Sequence, residues 1–282
     1  MQQPACPATL RALLTLVAWN IENLMKRLGE LPAAVHALGD PDVLCLQEIR
    51  VRAQDAADVA AVERALPGYR CFMSLPRDPY NVTYRGGRAY GVATFVRGKA
   101  TGEVPAWDRE GRIVVTRRGS LAIANLYAVN GTSKAYFDEA GKPAGDRHRF
   151  KRDFQRRVFE LGAQLGERVV LAGDWNVSRT RLDTHPRLRT EEPHAQARAE
   201  LNALIEHTGF VDIWRHLHPE ERGYTWFNVR ARYLDAARVD YILVSPALVP
   251  EVREARILER HPWSDHAPIA ITLGRAAARR RA

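Results

Sequence analysis

Six short apolar runs, spread from one end of the chain to the other, each meet a carboxylate, an amide or an imidazole. That recurrence constrains the fold more than any other feature. Leu16-Val17-Ala18-Trp19 runs into Asn20 and Glu22, and Val43-Leu44-Cys45-Leu46 into Gln47 and Glu48. Asn125-Leu126-Tyr127 leads to Asn130-Gly131, and Val169–Ala172 to Gly173, Asp174 and Asn176. Val239 and Tyr241–Val244 bracket Asp240, and Ser264-Asp265-His266 precedes the last run. Runs this short, rich in Val, Leu, Ile and aromatics and bounded by Gly, Pro or Asp, read as strands. Polar groups at the ends of strands are where a rigid scaffold can aim several of them at one ligand.

The full set of strand windows is Leu13–Trp19, Val43–Gln47, Tyr69–Met73, Gly91–Val96, Ile113–Arg117, Leu121–Tyr127, Val169–Ala172, Arg238–Val244 and Ile269–Leu273. Helical periodicity marks Leu28–Leu38, Ala53–Ala65, Arg147–Leu165 and Pro193–His207, with helix starts at Asp55 and Asp146. Strands come in pairs between helices rather than in strict alternation. That order predicts antiparallel or mixed sheets with helices outside, not a doubly wound nucleotide-binding fold. No Pro/Gly/Ser-rich linker interrupts the chain, so residues 1–274 are expected to form a single domain, followed by a disordered Ala/Arg tail at 275–282.

The formal charge of +9 favours a polyanionic partner, because clustered cations attract phosphate backbones. Almost all the basic side chains are Arg, which a GC-rich coding bias also explains. Cys6, Cys45 and Cys71 fall in no metal-ligand spacing and suit a reduced cytoplasm. Leu10–Val17 is too short to span a membrane, and no export signal is read at the start.

Taken singly, each polar residue has a plain structural alternative. Asn20 can cap a helix at Leu24, Glu48 can pair with Arg50 or Arg52, and Asp174 can close an Asx turn. Asp240 can form a buried salt bridge with an arginine, and Asp265-His266 can cap a turn. Their joint order is what points to chemistry. The segments "AWNIEN", "LCLQEIR", "NLYAVNG", "LAGDWNV", "GFVDIWR", "YTWFNVR", "ARVDYILVS" and "WSDHAPI" follow one another from Trp19 to Leu273. In that order they resemble the exonuclease III-like apurinic/apyrimidinic (AP) endonucleases of the endonuclease/exonuclease/phosphatase superfamily. Gly209–Arg215, Tyr224–Phe227 and Arg238–Leu243 favour this branch over the lipid and inositol-phosphate phosphatases.

The resemblance implies an α/β (α+β) four-layer αββα sandwich, two mixed sheets face to face with helices outside. It implies a Mg²⁺-dependent phosphodiester hydrolase, with Mn²⁺ as a substitute, acting as a monomer on duplex DNA with abasic sites or blocked 3′ ends. Glu48 is then the principal metal ligand, with Glu22 and Asp265 nearby. Asp174 activates the water, Asn176 bonds that water or a phosphate oxygen, and His266 contacts a phosphoryl oxygen, oriented by Asp240. Tyr127 sits beside the leaving group or phosphate, and Asn20 and Asn130 complete the hydrogen-bond shell. Arg179, Arg181, Arg187 and Arg189 on the loop after Asn176, with Trp226 and Phe227, are expected to grip DNA. The cations on the helix at Arg147–Arg157 read as a solvated face.

The segment Ser178–Asn202 departs most from the family: its Asp- and Asn-rich run and its Gly-Phe-x-x-x-Glu-Arg signature are not intact, with Asp183 a remnant of the first. Val129, Asn228 and the glycine-free loop Ala231–Ala237 depart too. Two other functions remain open at this stage. One is a same-fold phosphatase or phosphodiesterase acting on RNA or a small phosphorylated molecule. The other is a catalytically dead nucleic-acid-binding module, which the intact Glu48, Asp174, Asn176, Asp240 and His266 disfavour.

Overall fold

The computed structural model describes residues 13–81, 90–188, 194–229 and 235–274. From the start the chain forms β1 (Leu14–Asn20), α1 (Leu31–Ala37), β2 (Val43–Gln47), α2 (Ala56–Glu63), β3 (Tyr69–Ser74) and β4 (Val92–Arg97). Then come β5 (Thr101–Glu103), β6 (Ile113–Arg118), β7 (Leu121–Tyr127), β8 (Ala135–Phe137), β9 (Pro143–Asp146) and α3 (Arg147–Gln164). β10 (Val169–Asp174), α4 (His194–Thr208), β11 (Val211–Asp212), α5 (Ile213–Leu217), β12 (Trp226–Phe227) and β13 (Ala236–Ala237) follow. The last strands are β14 (Asp240–Val244), β15 (Val252–Ile257) and β16 (Ile269–Leu273).

Two six-stranded sheets result, ordered β15-β16-β1-β2-β4-β3 and β11-β14-β10-β7-β6-β5. Both are mixed: β1 runs parallel to β2 and antiparallel to β16, while β10 runs parallel to β7 and antiparallel to β14. The alternation of side chains along each strand builds the layers. In β1, Leu16 and Ala18 join a cluster shared with Ile123, Val170, Ala172 and Ile242 of the other sheet. Val17 and Trp19 point the opposite way, into a cluster with Leu31 and Val35 of α1 and Val62 of α2. On the far side, Val169 and Leu171 pack against Phe154, Val158 and Phe159 of α3 and Leu201 and Ile205 of α4. The order of layers is helix, sheet, sheet, helix, as the resemblance implied.

The same alternation explains why polar residues gather at one edge of the inter-sheet layer. Asn20, Gln47, Tyr127 and Asp174 continue the inward-facing sets Leu16/Ala18, Val43/Cys45, Ile123/Asn125 and Val170/Ala172. Asn20 lies level with Gln47, while Asp174 lies level with both Tyr127 and Asp240. Beneath them Asn125 ties the sheets together, its Nδ2 donating to the Ala93 carbonyl at 2.9 Å while its Oδ1 accepts from Gln47 Nε2 at 2.7 Å. Buried amides are tolerable only when paired in this way.

Gly173 is not the turn that its place in the sequence suggests; it lies inside β10 with φ +138°. A Cβ there would come within 2.0 Å of the Leu126 carbonyl oxygen on β7, so only glycine lets the two strands close. The chain bends later, at Asn176, whose φ is +54°.

Asp55 and Asp146 do stand at helix starts, and the Asp146 carboxylate accepts the Arg149 N–H. The helix α3 is not wholly a solvated cationic face: Arg147 and Lys151 are buried. Arg149, Arg156 and Arg157 stay exposed. Edge strand β15 escaped the sequence reading because Arg253, Glu254 and Arg256 break its apolar alternation and a bulge shifts its register between Val252 and Glu254. Among the described residues no helix is long and apolar enough to cross a membrane.

Candidate active site

Where the polar edge of the inter-sheet layer meets solvent, a cleft of about 460 Å³ opens. Its walls include Glu22, Glu48, Tyr127, Asn130, Asp174, Asn176, Trp226, Asp265 and His266, residues that stand up to 244 positions apart in the chain. Asn20 lies just beneath, its Nδ2 donating to Glu48 Oε1 at 3.2 Å and to Asp174 Oδ2 at 3.0 Å. One amide thus joins a carboxylate of each sheet. It does not cap a helix.

Asp174 also closes the Asx turn, its Oδ1 accepting the Asn176 N–H at 2.8 Å. Structural and chemical readings of this residue are therefore compatible. Asn176 is fixed twice more: its Nδ2 donates to the Ala128 carbonyl at 2.9 Å, and its own carbonyl accepts from Lys151 Nζ at 2.6 Å. Asp240 pairs with no arginine among the described residues. Its Oδ2 lies 2.8 Å from His266 Nδ1, while His266 Nε2 lies 3.9 Å from both Asp174 and Asp265. The His266 backbone is held by Ser264 Oγ, which accepts its N–H at 2.9 Å, and its carbonyl accepts from Trp19 Nε1 at 3.2 Å.

Burial alone would push the His266 imidazole down. Asp240 first, then Asp174 and Asp265, overcome that and raise it to about 10, so the ring carries a positive charge at neutral pH. Burial and the facing Asp240 carboxylate drive Asp174 up to about 7, against the pull of His266, the Asn176 N–H and the Asn20 amide. Burial, then the Glu48 and Asp174 carboxylates, hold the Tyr127 phenol well above its usual range, so its hydroxyl stays a donor. Asp174, Asp240 and His266 form a buried group whose ligand atoms all lie within 4.8 Å of one another, close enough to hold a metal ion. Asp240 Oδ1 in that group is buried and has no hydrogen-bond partner among the described residues.

The backbone is strained around the cleft. Six non-glycine residues among those described have positive φ, and four of them, Glu22, Glu48, Arg50 and Asn176, line the cleft. Such residues persist only where surrounding contacts over-determine them, and they cluster at functional sites.

Residues 17–266 match the endonuclease/exonuclease/phosphatase family. The chain belongs to that family. Recombination repair protein 1 of Drosophila melanogaster is 31% identical over 283 positions, which cover 95% of this chain but only 38% of the fly protein. The exodeoxyribonuclease of Bacillus subtilis is 24% identical over 92% of this chain and 98% of its own length. Among solved structures, a 3′-5′ exonuclease from Neisseria meningitidis superposes with a TM-score of 0.69 at 25% identity, covering 93% of this chain and all of that one.

Within this endonuclease/exonuclease/phosphatase member, the expected metal ligands lie on the open side of the cleft. Glu48 is half-buried, and its Oε2 pairs with Arg50 at 2.7 Å, one of the structural alternatives the sequence allowed. Asp265 Oδ2 accepts from Trp226 Nε1 at 3.0 Å, and Glu22 is exposed. Hard carboxylate oxygens at a wet rim fit a magnesium ion that keeps several waters.

The expected DNA contacts divide. Trp226 lines the cleft, whereas Phe227 stands beside it beneath the Arg260 guanidinium. Arg179 turns inward instead, pairing with Asp212 at 2.8 Å and Asn202 at 2.9 Å. It belongs to a buried ion network with Asp183, Asp212, Arg215 and Arg238 that pins the loop after β10. Arg181 and Arg187 are exposed, and Arg189 lies outside the described residues.

Lys151 and Arg198 also line the cleft and were not expected there. Burial takes the Lys151 ammonium down to about 8, opposed by Asp174 and aided by Arg198. Its position was legible on a helical wheel: Lys151, Phe154 and Val158 fall on the one buried face of α3.

Proposed function

We propose that this chain is a Mg²⁺-dependent phosphodiester hydrolase acting on duplex DNA, of the exodeoxyribonuclease III and AP endonuclease type, at abasic sites or blocked 3′ ends in base excision repair. The observation that carries this reading is the alignment of Tyr127, Asp174 and Asp240 across three neighbouring strands, with Asn20 and His266 closing on Asp174 from the other sheet.

Asp174 accepts a proton from the attacking water and orients it, since a carboxyl poised near neutrality can act as a general base. Asn176 bonds the same water or a phosphate oxygen. His266 donates from Nε2 to a phosphoryl oxygen, and Asp240 keeps the ring charged and correctly tilted. Tyr127 offers its hydroxyl to the leaving oxygen or the phosphate, with Asn20 and Asn130 completing the shell. Glu48, with Glu22 and Asp265, would hold Mg²⁺, or Mn²⁺ in its place, which when bound neutralises charge on the phosphoryl oxygens. The buried group around His266 is the poorer cation site, because its imidazole is charged and tied to Asp240. Trp226, Phe227 and Arg187 would rest against the duplex.

The backbone strain beneath Glu22, Glu48 and Asn176 favours an enzyme over a binding module, which has no use for carboxylates facing a phosphate. The test uses labelled duplexes carrying an abasic site, a 3′-phosphate or a clean recessed 3′ end, with product lengths read on a gel. Cleavage of at least one supports the proposal, and the pattern assigns the activity. Turnover of small phosphate esters with every duplex left whole refutes it.

A further inference from the structure

Ala128 follows Tyr127 at the end of β7, and its carbonyl accepts from Asn176 Nδ2 at 2.9 Å. A second donor reaches the same oxygen. Arg112, on the segment leading into β6, is 1% exposed, and its Nη1 donates to the carbonyls of Tyr127 at 3.1 Å and Ala128 at 3.3 Å. The backbone repeats the link, since the Arg112 carbonyl accepts the Tyr127 N–H at 2.8 Å. The guanidinium lies 4.0 Å from the centre of the Tyr90 ring and 5.2 Å from that of Tyr127.

Arg112 is itself anchored. Its Nε donates to Glu110 Oε2 at 2.6 Å, and Arg147 Nη2 donates to the same oxygen at 2.8 Å. Asp108 Oδ2 accepts the Arg112 N–H at 2.8 Å and the Ile113 N–H at 3.0 Å. All four side chains, Asp108, Glu110, Arg112 and Arg147, are buried. Burying such a group is a poor route to stability, because well-packed apolar side chains hold a protein interior as well or better. Apolar side chains cannot donate to two consecutive carbonyls, however, and that is where this rigid, planar guanidinium points. Arg112 does not line the cleft, so any effect on chemistry passes through Tyr127 and Asn176, which do.

We propose that Arg112 is a positioning residue for the reaction, fixing the end of β7 so that the Tyr127 hydroxyl and the Asn176 amide meet the scissile phosphate together. The inference rests on the phosphodiesterase reading above and deepens it.

The test compares the wild type with Arg112→Lys and with Glu110→Gln, which keeps the guanidinium and loosens its anchor. For Arg112→Lys, duplex kcat falls by about tenfold or more while KM stays within about twofold, because small misplacements of catalytic groups slow the chemistry and not the binding. Glu110→Gln shows the same split with a smaller fall, and carries the test where Arg112→Lys does not fold. In a Tyr127→Phe background the loss shrinks, since no hydroxyl remains to be misplaced. The Asn176 side-chain amide signals shift in NMR spectra of the folded variants recorded in chelator without DNA. Unchanged kcat, Asn176 signals that stay in place, or full additivity with Tyr127→Phe overturns the positioning role, leaving Arg112 a purely structural residue. A wild type that cleaves no duplex overturns the functional reading instead, and the Asn176 signals then decide the clamp alone.

Discussion

Replacing Asp240 with Asn keeps the side-chain shape and removes the charge that holds His266. In the native protein that charge sits 2.8 Å from Nδ1, against 3.9 Å from Nε2 to either Asp174 or Asp265. Losing one close opposite charge lowers a pKa by about 1–3 units, or roughly 1.4–4 kcal/mol of preference for the charged ring. The His266 value of about 10 therefore falls toward neutrality, because burial still disfavours the cation. Nitrogen-detected NMR of the imidazole, recorded in chelator across pH 5–11, measures it directly. Stability changes in step. His266 titrates higher folded than unfolded, so its contribution is complete below the unfolded value near 6.5 and disappears as pH rises through about 10. Urea unfolding should show the wild type weakening across that window and Asp240→Asn weakening less. Duplex cleavage falls as well, since the neutral ring loses its fixed orientation. If the imidazole titrates identically in both proteins, Asp240 does not set the charge of His266.

Glu48→Ala should lower duplex turnover by about two orders of magnitude or more while leaving the unfolding midpoint nearly unchanged, and chelator should have a matching effect that Mg²⁺ reverses. Near-native turnover of Glu48→Ala, or activity surviving in EDTA, would remove the metal from the account. Gly173→Ala should destabilise by on the order of 3 kcal/mol or more in urea, because the added methyl meets the Leu126 carbonyl oxygen 2.0 Å away. A variant as stable as the wild type would show that β7 and β10 can part freely.

The sequence spoke most clearly where strand periodicity and chemistry coincide. Asn20, Tyr127 and Asp174 each continue the inward-facing set of their strand, so finding the strands located the cleft. Arginine was harder to place, because a guanidinium serves a buried ion pair and a phosphate equally well. Arg179 and Arg181 stand two residues apart on one loop; the first pairs with Asp212 inside and the second faces solvent. Only the tertiary position of Asp212 separates them. Gly173 misled for a related reason, since its constraint is the nearness of the Leu126 backbone on another strand. Trp19 holds the His266 carbonyl from the first strand, and Ser264, which accepts the His266 N–H locally, is itself tied to the Asn20 carbonyl; nothing local in the chain announces those two long-range bonds.

The central claim is that the polar ends of both sheets converge on one divalent cation and one phosphate. A crystal structure with Mn²⁺ and a short cleaved duplex tests it in one experiment, because anomalous scattering locates the ion independently of the DNA. The ion should lie on the Glu48 carboxylate, with a DNA phosphate within hydrogen-bond reach of His266 Nε2 and Asn176. An ion bound elsewhere, or DNA seated away from the cleft between β1 and β10, would contradict the account.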